Sequence, residues 1–525
     1  MATASSILRE RSGRSLLGTI AGRPLLFALA IMAAVVAVRT FGTVGSDVTW
    51  QMWIGHQLGG GVRLYRDIIE TNPPLWFWMA VPIDWLSALI HVRSDHVLIL
   101  VIGCFAALSL SATDRILPPM KAPRRALLLG FAALILVAMP WVEFGQREQI
   151  ALIATLPYAA LIAARRNGRS VPMALALLVG IGAGLAFALK HYFLLVPILL
   201  ELWLLVGLGR KWRPFRRETI GMAIVGAFYA AAFAIWASDY LNVALPLILM
   251  AYGVTGAERL LDLFQPAVLV AFATLALLAA HWWSLRAEAF VAALMIAAIG
   301  FAAAYLIQAK GWSYQAVPLV GCAAIALVGA LTSEAKLPRV VALAAPALLF
   351  LPFWISAQEA MRPDPTAADV DHAVAGLHAG DSVGFIGTDP ALGWTTTLQR
   401  RFAYPSRYNG FWMMRAIVRN EALGSPDPRL AQLGRRVVSQ TVQDFRCLPP
   451  KRIVVARPSP EAAQAGDFDI LTFFLRDPQF VQLLAHYRPV ERSSVEVFAL
   501  VSPLEAAHDC ARRAQDDPTR TADPD

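Results

Sequence analysis

The chain has 525 residues, of which 57% are hydrophobic and 16% charged, and its mean hydropathy is +0.54. Soluble domains carry about a quarter charged residues, so this composition excludes an ordinary soluble enzyme. The formal net charge is +9. Because the cations cluster in short loops between apolar runs, we interpret them as orientation signals of a membrane protein and not as a nucleic-acid-binding surface.

Apolar runs long enough to cross a bilayer recur through the first two thirds of the chain. Lipid offers no partners for backbone polar groups, so these runs must be helical. The first run follows a polar, basic N-terminus and is too long for a signal-peptide core, which predicts a retained transmembrane helix. The runs lie near residues 24–41, 73–90, 96–113, 125–141, 149–164, 171–188, 192–208, 219–237, 266–283, 288–306, 316–331 and 339–356.

The run at 73–90 differs from the others because it contains three prolines, three tryptophans and Asp84. If it spanned the membrane, the cation clusters of the later loops would fall outside, against the positive-inside bias. If it lies along the outer surface of the membrane, Asp84 stays hydrated and those clusters fall on the cytoplasmic side. We therefore predict a mostly α polytopic bundle of about eleven spanning helices and two interfacial helices, with the N-terminus inside and the C-terminus outside.

The predicted organisation has four parts. They are a cytoplasmic basic segment at 1–23, a transmembrane domain at 24–356, an extracytoplasmic domain at 357–510 and a disordered polar tail at 511–525. Strand-like runs and one amphipathic stretch predict that the third part is a small α/β domain. The strand-like runs are Ser382–Gly387, Arg452–Ala456 and Val495–Val501, and the amphipathic stretch is Ile470–Tyr487. Cys447 and Cys510 could form a disulfide outside the cytoplasm.

The first outer loop has a distinctive order of residues. Asp47 follows the first apolar run, and a helical stretch to about Leu58 leads into three glycines. A charged segment with Arg63, Arg66, Glu70 and Asn72 then precedes a double proline. The sequence thus predicts an acid at the membrane boundary, an interfacial helix, a turn, a charged segment and a second interfacial helix.

Further polar residues lie at the predicted outer ends of later helices, where charges are scarce and mark functional sites. Glu148 lies in a Gln-Arg-Glu string, with Glu143 nearby, and Lys190 ends the fifth predicted spanning helix. Lys310 is followed by a glycine and, shortly after, by Tyr314.

These features, in order over roughly 24–331, resemble the GT-C glycosyltransferases, the superfamily of protein O-mannosyltransferases and lipid-A aminoarabinose transferases. The resemblance implies that Asp47 is the catalytic carboxylate and that Glu148, or alternatively Glu143, is a second acid. It also implies that Lys190, Lys310 and Tyr314 bind the donor phosphate. The sequence departs from the pattern at Asn72, where those transferases have a lysine.

The implied reaction moves a sugar from a polyprenyl-phosphate carrier to a lipid, glycan or protein acceptor on the outer side of a bacterial inner membrane. Asp47 would act as general base in an inverting displacement, and cations would stabilise the leaving phosphate. Arg63 or Arg66 would replace the missing lysine, with Arg147 as a further candidate. No cofactor is required, although Glu70 and His56 could hold a divalent metal, against the simpler interpretation of a solvated histidine.

Other interpretations remain open at this stage. Asp47 could cap the interfacial helix, Glu148 could pair with Arg147 at the surface, and Lys190 and Lys310 could be membrane anchors. The protein could then be a lipid-linked glycan transporter or flippase, or a non-catalytic assembly subunit. The clustering of polar residues at one membrane face, without an internal repeat, favours an interfacial enzyme.

Overall fold

The computed structural model describes residues 23–255, 263–362, 365–421, 423, 426–458 and 468–504. The expectations for the basic segment up to residue 22, for the tail at 511–525 and for a disulfide to Cys510 lie outside the described residues. The helices with described bounds are α1 (Pro24–Arg39), α2 (Ser46–Gly59), α3 (Leu75–Ile90), α4 (Ser94–Ile116), α5 (Ala122–Val137), α6 (Arg147–Arg166), α7 (Met173–Ala188), α8 (Leu195–Leu208), α9 (Arg217–Trp236), α10 (Leu245–Thr255), α11 (Pro266–Ala280), α12 (Ala289–Gln308), α13 (Ser313–Thr332), α14 (Arg339–Met361), α15 (Pro365–Ala373), α16 (Trp394–Arg400), α17 (Met414–Glu421), α18 (Pro428–Cys447), α19 (Ile470–Phe474) and α20 (Pro478–Leu484).

The chain divides into two compact units. The bundle unit comprises Met1–Thr43, Leu98–Ala230 and Arg259–Met361. The loop unit comprises Val44–Val97, Ala231–Glu258 and Arg362–Asp525. The loop unit thus gathers the predicted first outer loop, a second loop and the C-terminal region, which are far apart in sequence.

Six helical stretches among the described residues are long and apolar enough to cross a membrane. They are Ser94–Ile116, His191–Lys211, Arg217–Trp236, Ala289–Gln308, Ser313–Thr332 and Arg339–Ala373. Each of the eleven predicted spans coincides with a helix. The five of these helices that are not among the six stretches are shorter or carry more charge, so the count of eleven stays a prediction. The chain is a multi-pass membrane protein of mostly α structure, which confirms the predicted fold class.

The bundle unit is organised around α13, which is almost entirely buried. This helix packs against α5, α6, α11, α12 and α14. Elsewhere in the unit, Gly180 and Gly184 of α7 lie against the backbone of α9 so closely that a β-carbon would clash with Glu218 or press on Met222. Small residues allow this approach between membrane helices, where close packing replaces the hydrophobic effect.

In the loop unit, α2 and α3 form the predicted pair of helices of the first outer loop. Gly55 of α2 meets Ala80 of α3 with no room for a side chain. The apolar α3 has only 16 residues and contains Pro82. Its predicted position along the membrane surface stays a prediction.

The C-terminal part of the loop unit contains a four-stranded sheet in the order β1-β2-β4-β3. Its strands are β1 (Val383–Ile386), β2 (Arg452–Ala456), β3 (Tyr487–Arg492) and β4 (Val495–Leu500). Strands β1 and β2 are parallel, whereas β4 is antiparallel to both of its neighbours. Three strands match the predicted runs. The fourth, β3, begins at the last residue of the stretch predicted as amphipathic, which itself forms α19 and α20.

Two apolar cores join the separate segments of the loop unit. In one, Trp50 and Ile54 of α2 are buried with Trp394 and Tyr404 of the C-terminal region. In the other, Ala251 of α10 is buried among residues of α17 and α18. No apolar run predicted α10, so its role in this core emerges only from the structure. The predicted domain boundaries at 357 and 510 stay predictions.

Candidate active site

Asp47 lies in the first turn of α2 and is partly exposed. The residue at the cap position is Gly45, which has extended backbone and no side chain to cap with. Asp47 therefore does not occupy the capping position that offered the simplest structural explanation for it. An acid in the first helical turn is nevertheless stabilised by the helix dipole, which favours its ionised form.

The contacts of Glu70 give it a structural role in the first outer loop. Its side chain is buried, and Oε2 accepts a hydrogen bond from the Trp50 indole at 2.5 Å. Oε1 accepts from the backbone N–H groups of Thr71 and Asn72 at 2.7 and 2.8 Å and from the Asn72 amide at 2.7 Å. Both carboxylate oxygens are thus engaged, so Glu70 orders the segment that leads to the double proline.

Asn72, which stands where the related transferases have a lysine, belongs to the same arrangement. Its carbonyl accepts from the Tyr65 hydroxyl at 2.7 Å, while its side chain donates to Glu70. Asn72 supplies no cation, and these contacts fix the shape of the loop.

Arg63 and Arg66 each face a carboxylate. The Arg66 guanidinium approaches Asp239 with distances of 2.5 Å from Nε to Oδ2 and 2.9 Å from Nη2 to Oδ1. Arg63 contacts Asp67 through Nε at 3.5 Å and through its backbone N–H at 3.0 Å. Both arginine side chains are half exposed. A phosphate would compete with these acids for the guanidinium groups.

The structure pairs His56 with Asp84 and not with Glu70. Nδ1 of His56 lies 3.0 Å from Oδ2 of Asp84, so the contact joins α2 to α3. Among the described residues, no group of three or more histidine, cysteine, aspartate or glutamate side chains could hold a metal ion. With both Glu70 oxygens engaged by N–H donors, the donor set of this loop does not fit the divalent metal considered from the sequence.

In the bundle unit, Glu148 and Lys190 form a buried ion pair. Lys190 Nζ lies 2.5 Å from Glu148 Oε1, and the two residues are 8% and 0% exposed. The other oxygen, Oε2, is buried without a hydrogen-bond partner in the part of the chain that the structure describes. Glu148 therefore pairs with Lys190 inside the bundle unit and not with Arg147 at the surface. The ammonium group of Lys190 lies inside the bundle unit and does not reach out as an interfacial anchor.

Lys310 and Tyr314 belong to the same region of the bundle unit. The Lys190 ammonium lies 5.0 Å from the centre of the Tyr314 ring, and that of Lys310 lies 4.4 Å from the centre of the Trp312 ring. Burial, together with the positive charges of Lys190 and Arg147, lowers the pKa of Lys310 to about 8. The three cations therefore lie close enough to repel one another.

The segment before α6 is held in a defined conformation. Gln149 accepts from the Gly145 N–H at 2.7 Å and donates to the Leu136 carbonyl at 2.9 Å. Gly145 has a positive φ of 87°, which a side chain would strain. Glu143, the alternative second acid, accepts from the Ser313 hydroxyl at 2.5 Å. These contacts position Arg147 and Glu148 at the start of α6.

The structure adds Arg39, which the sequence interpretation did not single out. It is buried in the last turn of α1, over the rings of Trp141 and Phe144 at 5.0 and 5.4 Å. A lone arginine at the end of an apolar run was the available signal, because charges in membrane helices are rare and functional.

The predicted site residues thus fall into two groups. Arg147, Glu148, Lys190, Lys310 and Tyr314 come together in the bundle unit, as a group that we call the cation cluster. The loop unit holds Asp47 and a set of residues that pair among themselves: His56, Arg63, Arg66, Glu70 and Asn72. Arg147, Glu148 and Lys190 are buried, whereas Lys310 is exposed. The buried cations can bind an anion strongly, because water screens their charges little.

No protein-family model matches the sequence, and no curated protein sequence matches it. Among solved structures, ArnT from Cupriavidus metallidurans bound to undecaprenyl phosphate is similar, with a TM-score of 0.52, 14% identity and coverage of 92% of this chain and 99% of that chain. The archaeal oligosaccharyltransferase AglB from Archaeoglobus fulgidus, in complex with an inhibitory peptide and a dolichol-phosphate, has a TM-score of 0.45, 12% identity and coverage of 93% and 75%. A complex of the Archaeoglobus fulgidus oligosaccharyltransferase with Zn and sulfate has a TM-score of 0.41, 14% identity and coverage of 82% and 68%.

The similarity to ArnT extends over nearly the whole of both chains and concerns the fold, since few residues are identical. The GT-C resemblance predicted from Asp47, Lys190 and Lys310 agrees with this result. The chain therefore shares its fold with this ArnT structure.

Proposed function

We propose that this protein is a membrane glycosyltransferase that transfers a sugar from a polyprenyl-phosphate carrier to the hydroxyl of a lipid, glycan or protein acceptor. Transfer takes place at the outer face of a bacterial inner membrane. The observation that carries the proposal is the cation cluster, in which the buried Lys190 pairs with Glu148 and the pKa of Lys310 is lowered to about 8.

A cluster of this kind suits a phosphate better than it suits a structural role. Like charges held close together, two of them buried at Arg147 and Lys190, destabilise the protein unless an anion neutralises them. A phosphate that enters the cluster would relieve the repulsion between Lys190 and Lys310 and would favour the protonated form of Lys310. The similarity in fold to ArnT, whose structure holds undecaprenyl phosphate, supports the same class of donor.

The reaction that we propose is a single displacement. The acceptor hydroxyl oxygen forms a bond to the anomeric carbon while the bond from that carbon to the phosphate oxygen breaks. Asp47 takes the hydroxyl proton, a role that contributes about 10²–10⁴-fold. The electron pair leaves with the polyprenyl phosphate, whose growing negative charge Lys190, Lys310 and Arg147 stabilise.

The remaining candidates have supporting roles in this proposal. The free lone pairs of Glu148 Oε2 accept a hydrogen bond from a sugar hydroxyl, and Tyr314 donates one to the phosphate or the sugar. Arg63 and Arg66 contribute to phosphate binding only if they leave Asp67 and Asp239. We therefore assign the main donor contacts to the cation cluster.

The test compares surface glycans and glycolipids by mass spectrometry in a deletion strain that carries the wild-type gene or Asp47→Asn, at equal membrane levels of protein. We expect wild type to restore a fixed sugar increment and Asp47→Asn to reduce it by about 10²–10⁴-fold. Asp67→Asn, in the same loop but paired with Arg63, is the matched control and should retain the increment. Full restoration by Asp47→Asn would contradict the catalytic role and favour a flippase or an assembly subunit.

A further inference from the structure

A cavity of about 250 Å³ lies in the C-terminal α/β part of the loop unit. Its lining includes the residues that directly follow the parallel strands β1 and β2. In α/β folds, ligands bind beyond the carboxyl ends of parallel strands, because the chain leaves the sheet there and frees side chains and backbone groups. The position alone therefore makes this cavity a candidate binding site, separate from the cation cluster.

Each of the two strands delivers one charged side chain to the cavity. Asp389 follows β1, and its Oδ1 is fixed by the N–H of Ala391 at 2.8 Å. Arg457 follows β2, and its Nη1 donates to the Ser493 carbonyl at 3.0 Å. An acceptor and a donor of opposite charge are thus held on neighbouring strands.

Two hydroxyl groups and two apolar side chains complete the part of the lining that matters for recognition. Ser494 donates its hydroxyl to Asp369 at 2.5 Å, which leaves the oxygen lone pairs as acceptors. Thr388 adds a second hydroxyl, and Leu392 and Phe468 add apolar surface. The lining therefore offers hydrogen-bond donors, hydrogen-bond acceptors and an apolar wall within one small volume.

We infer that this cavity binds one neutral sugar residue of the acceptor, an inference that rests on the proposed glycosyltransferase function. A sugar hydroxyl both donates and accepts, so a cavity lined by a carboxylate and a guanidinium can satisfy both of its roles. The C–H face of a sugar ring packs on apolar side chains such as Phe468. The volume is below the ~300 Å³ at which sites for drug-sized ligands begin, which matches a single ring and not a peptide segment.

The charges favour a neutral ligand over an anionic one. Asp389 and Arg457 cancel each other, so the cavity offers no net attraction to a phosphate or a carboxylate, and Asp389 would repel either. The cation cluster of the bundle unit is the opposite case, with lysines and an arginine that raise the local potential. The protein would thus recognise the donor by its phosphate and the acceptor by its hydroxyl groups.

The experiment is saturation-transfer difference NMR on the full-length protein in nanodiscs. The probes are glucose, galactose, mannose and N-acetylglucosamine, with glucose 6-phosphate as the anionic probe. We expect at least one neutral sugar to bind and its affinity to fall roughly tenfold in Asp389→Asn and in Arg457→Gln, since each loses a charge-assisted hydrogen bond. Arg452→Gln, at the opposite end of β2, is the matched control and should bind as wild type does.

Binding of undecaprenyl phosphate, measured on the same samples, separates this inference from the proposed function. If wild type binds undecaprenyl phosphate but none of the neutral sugars, or if the two cavity variants bind sugars normally, the inference is wrong and the proposed function stands. Preference for glucose 6-phosphate would also overturn it. If the sugars bind as expected but undecaprenyl phosphate does not, the cavity is a sugar site and the donor proposal fails.

Discussion

The helix α6 carries a charged group at each end, and both groups lie in the bundle unit. Its first turn holds Glu148, which belongs to the cation cluster, and its last turn holds Arg165, which contacts Glu218. Glu148 and Arg165 are 17 positions apart on this helix, so they are separated by about 26 Å along its axis. Both groups combine glutamates with cationic side chains, but their electrostatic balance differs.

At the C-terminal end of α6, acids and arginines are matched. Arg165 donates two hydrogen bonds to Glu218, both at 3.0 Å, and Arg216 donates a third at 2.8 Å. Arg216 also pairs with Glu201, which accepts from the Trp212 indole at 3.1 Å. Two carboxylates meet two guanidinium groups here, and the planar arginine fork satisfies both oxygens of Glu218. We call these four charged residues the balanced network.

At the N-terminal end, the balance is incomplete. Glu148 uses one oxygen on Lys190, and its other oxygen has no hydrogen-bond partner among the described residues. Desolvation lowers the pKa of Lys310 most, and the positive charges of Lys190 and Arg147 lower it further. A network in which every charged group has a hydrogen-bond partner stabilises the packing of helices. A network with an unpaired group can instead bind a ligand, and this difference distinguishes a structural charge cluster from a functional one.

The largest effect on stability should come from the balanced network. Arg165→Met leaves a buried Glu218 with only Arg216 as its partner, and we expect a loss of about 3 kcal/mol, the lower end of the range for a broken buried pair. The measurement is the thermal unfolding midpoint of the purified protein. The protein that remains folded should bind undecaprenyl phosphate normally, and weakened binding would mean that this network also serves the donor.

The cation cluster should behave in the opposite way. In the double variant Lys190→Met/Glu148→Leu, both partners of the pair become apolar, so stability should stay near that of wild type. Undecaprenyl phosphate should bind roughly tenfold to a hundredfold more weakly, because a charge-assisted contact worth about 1.5–3 kcal/mol is lost. Isothermal titration calorimetry in detergent measures the affinity for undecaprenyl phosphate. Unchanged affinity would show that the pair is structural, like the balanced network.

The pH dependence of binding sharpens the comparison further. The folded protein without ligand holds Lys310 protonated below about pH 8. A bound phosphate favours the protonated form, so binding should be strongest below pH 8 and weaken by up to about tenfold per unit above it. Titration of undecaprenyl phosphate between pH 6 and pH 9.5 measures this.

The control for the pH profile is Lys310→Met, which has no titrating group at this position. It should bind more weakly below pH 8 and lose the slope that begins there. A slope that persists in Lys310→Met would assign the titration to another group.

The smallest effect should come from the arginines of the first outer loop. The pair between Arg66 and Asp239 is half exposed, and such pairs contribute about 0–1 kcal/mol. If the cation cluster supplies the main phosphate contacts, Arg66→Gln should change the affinity for undecaprenyl phosphate by less than about fivefold. Asp239→Asn is the informative partner variant, because tighter binding in it would show that Arg66 competes for the phosphate after all.

Local sequence patterns predicted much of the fold. Helical runs are recognisable because lipid forces each apolar segment to satisfy its own backbone, so every predicted span coincides with a helix. Short β-branched runs such as Arg452–Ala456 predicted strands equally well. The prediction missed α10, because the role of this helix depends on packing against α17 and α18, far along the chain. It also missed β3, which pairs with the neighbouring strand β4.

For the site residues, too, the sequence predicts one part and only the structure shows the other. The sequence by itself determined which residues are unusual, since Asp47, Glu148, Lys190 and Lys310 are polar groups at the ends of apolar runs. Only the tertiary structure decided their partners. Glu148 meets Lys190, 42 residues away, and Arg66 meets Asp239, 173 residues away. Such pairings depend on how helices and loops pack in space, and hydrophobic periodicity reports burial along one segment without saying which other segment covers it.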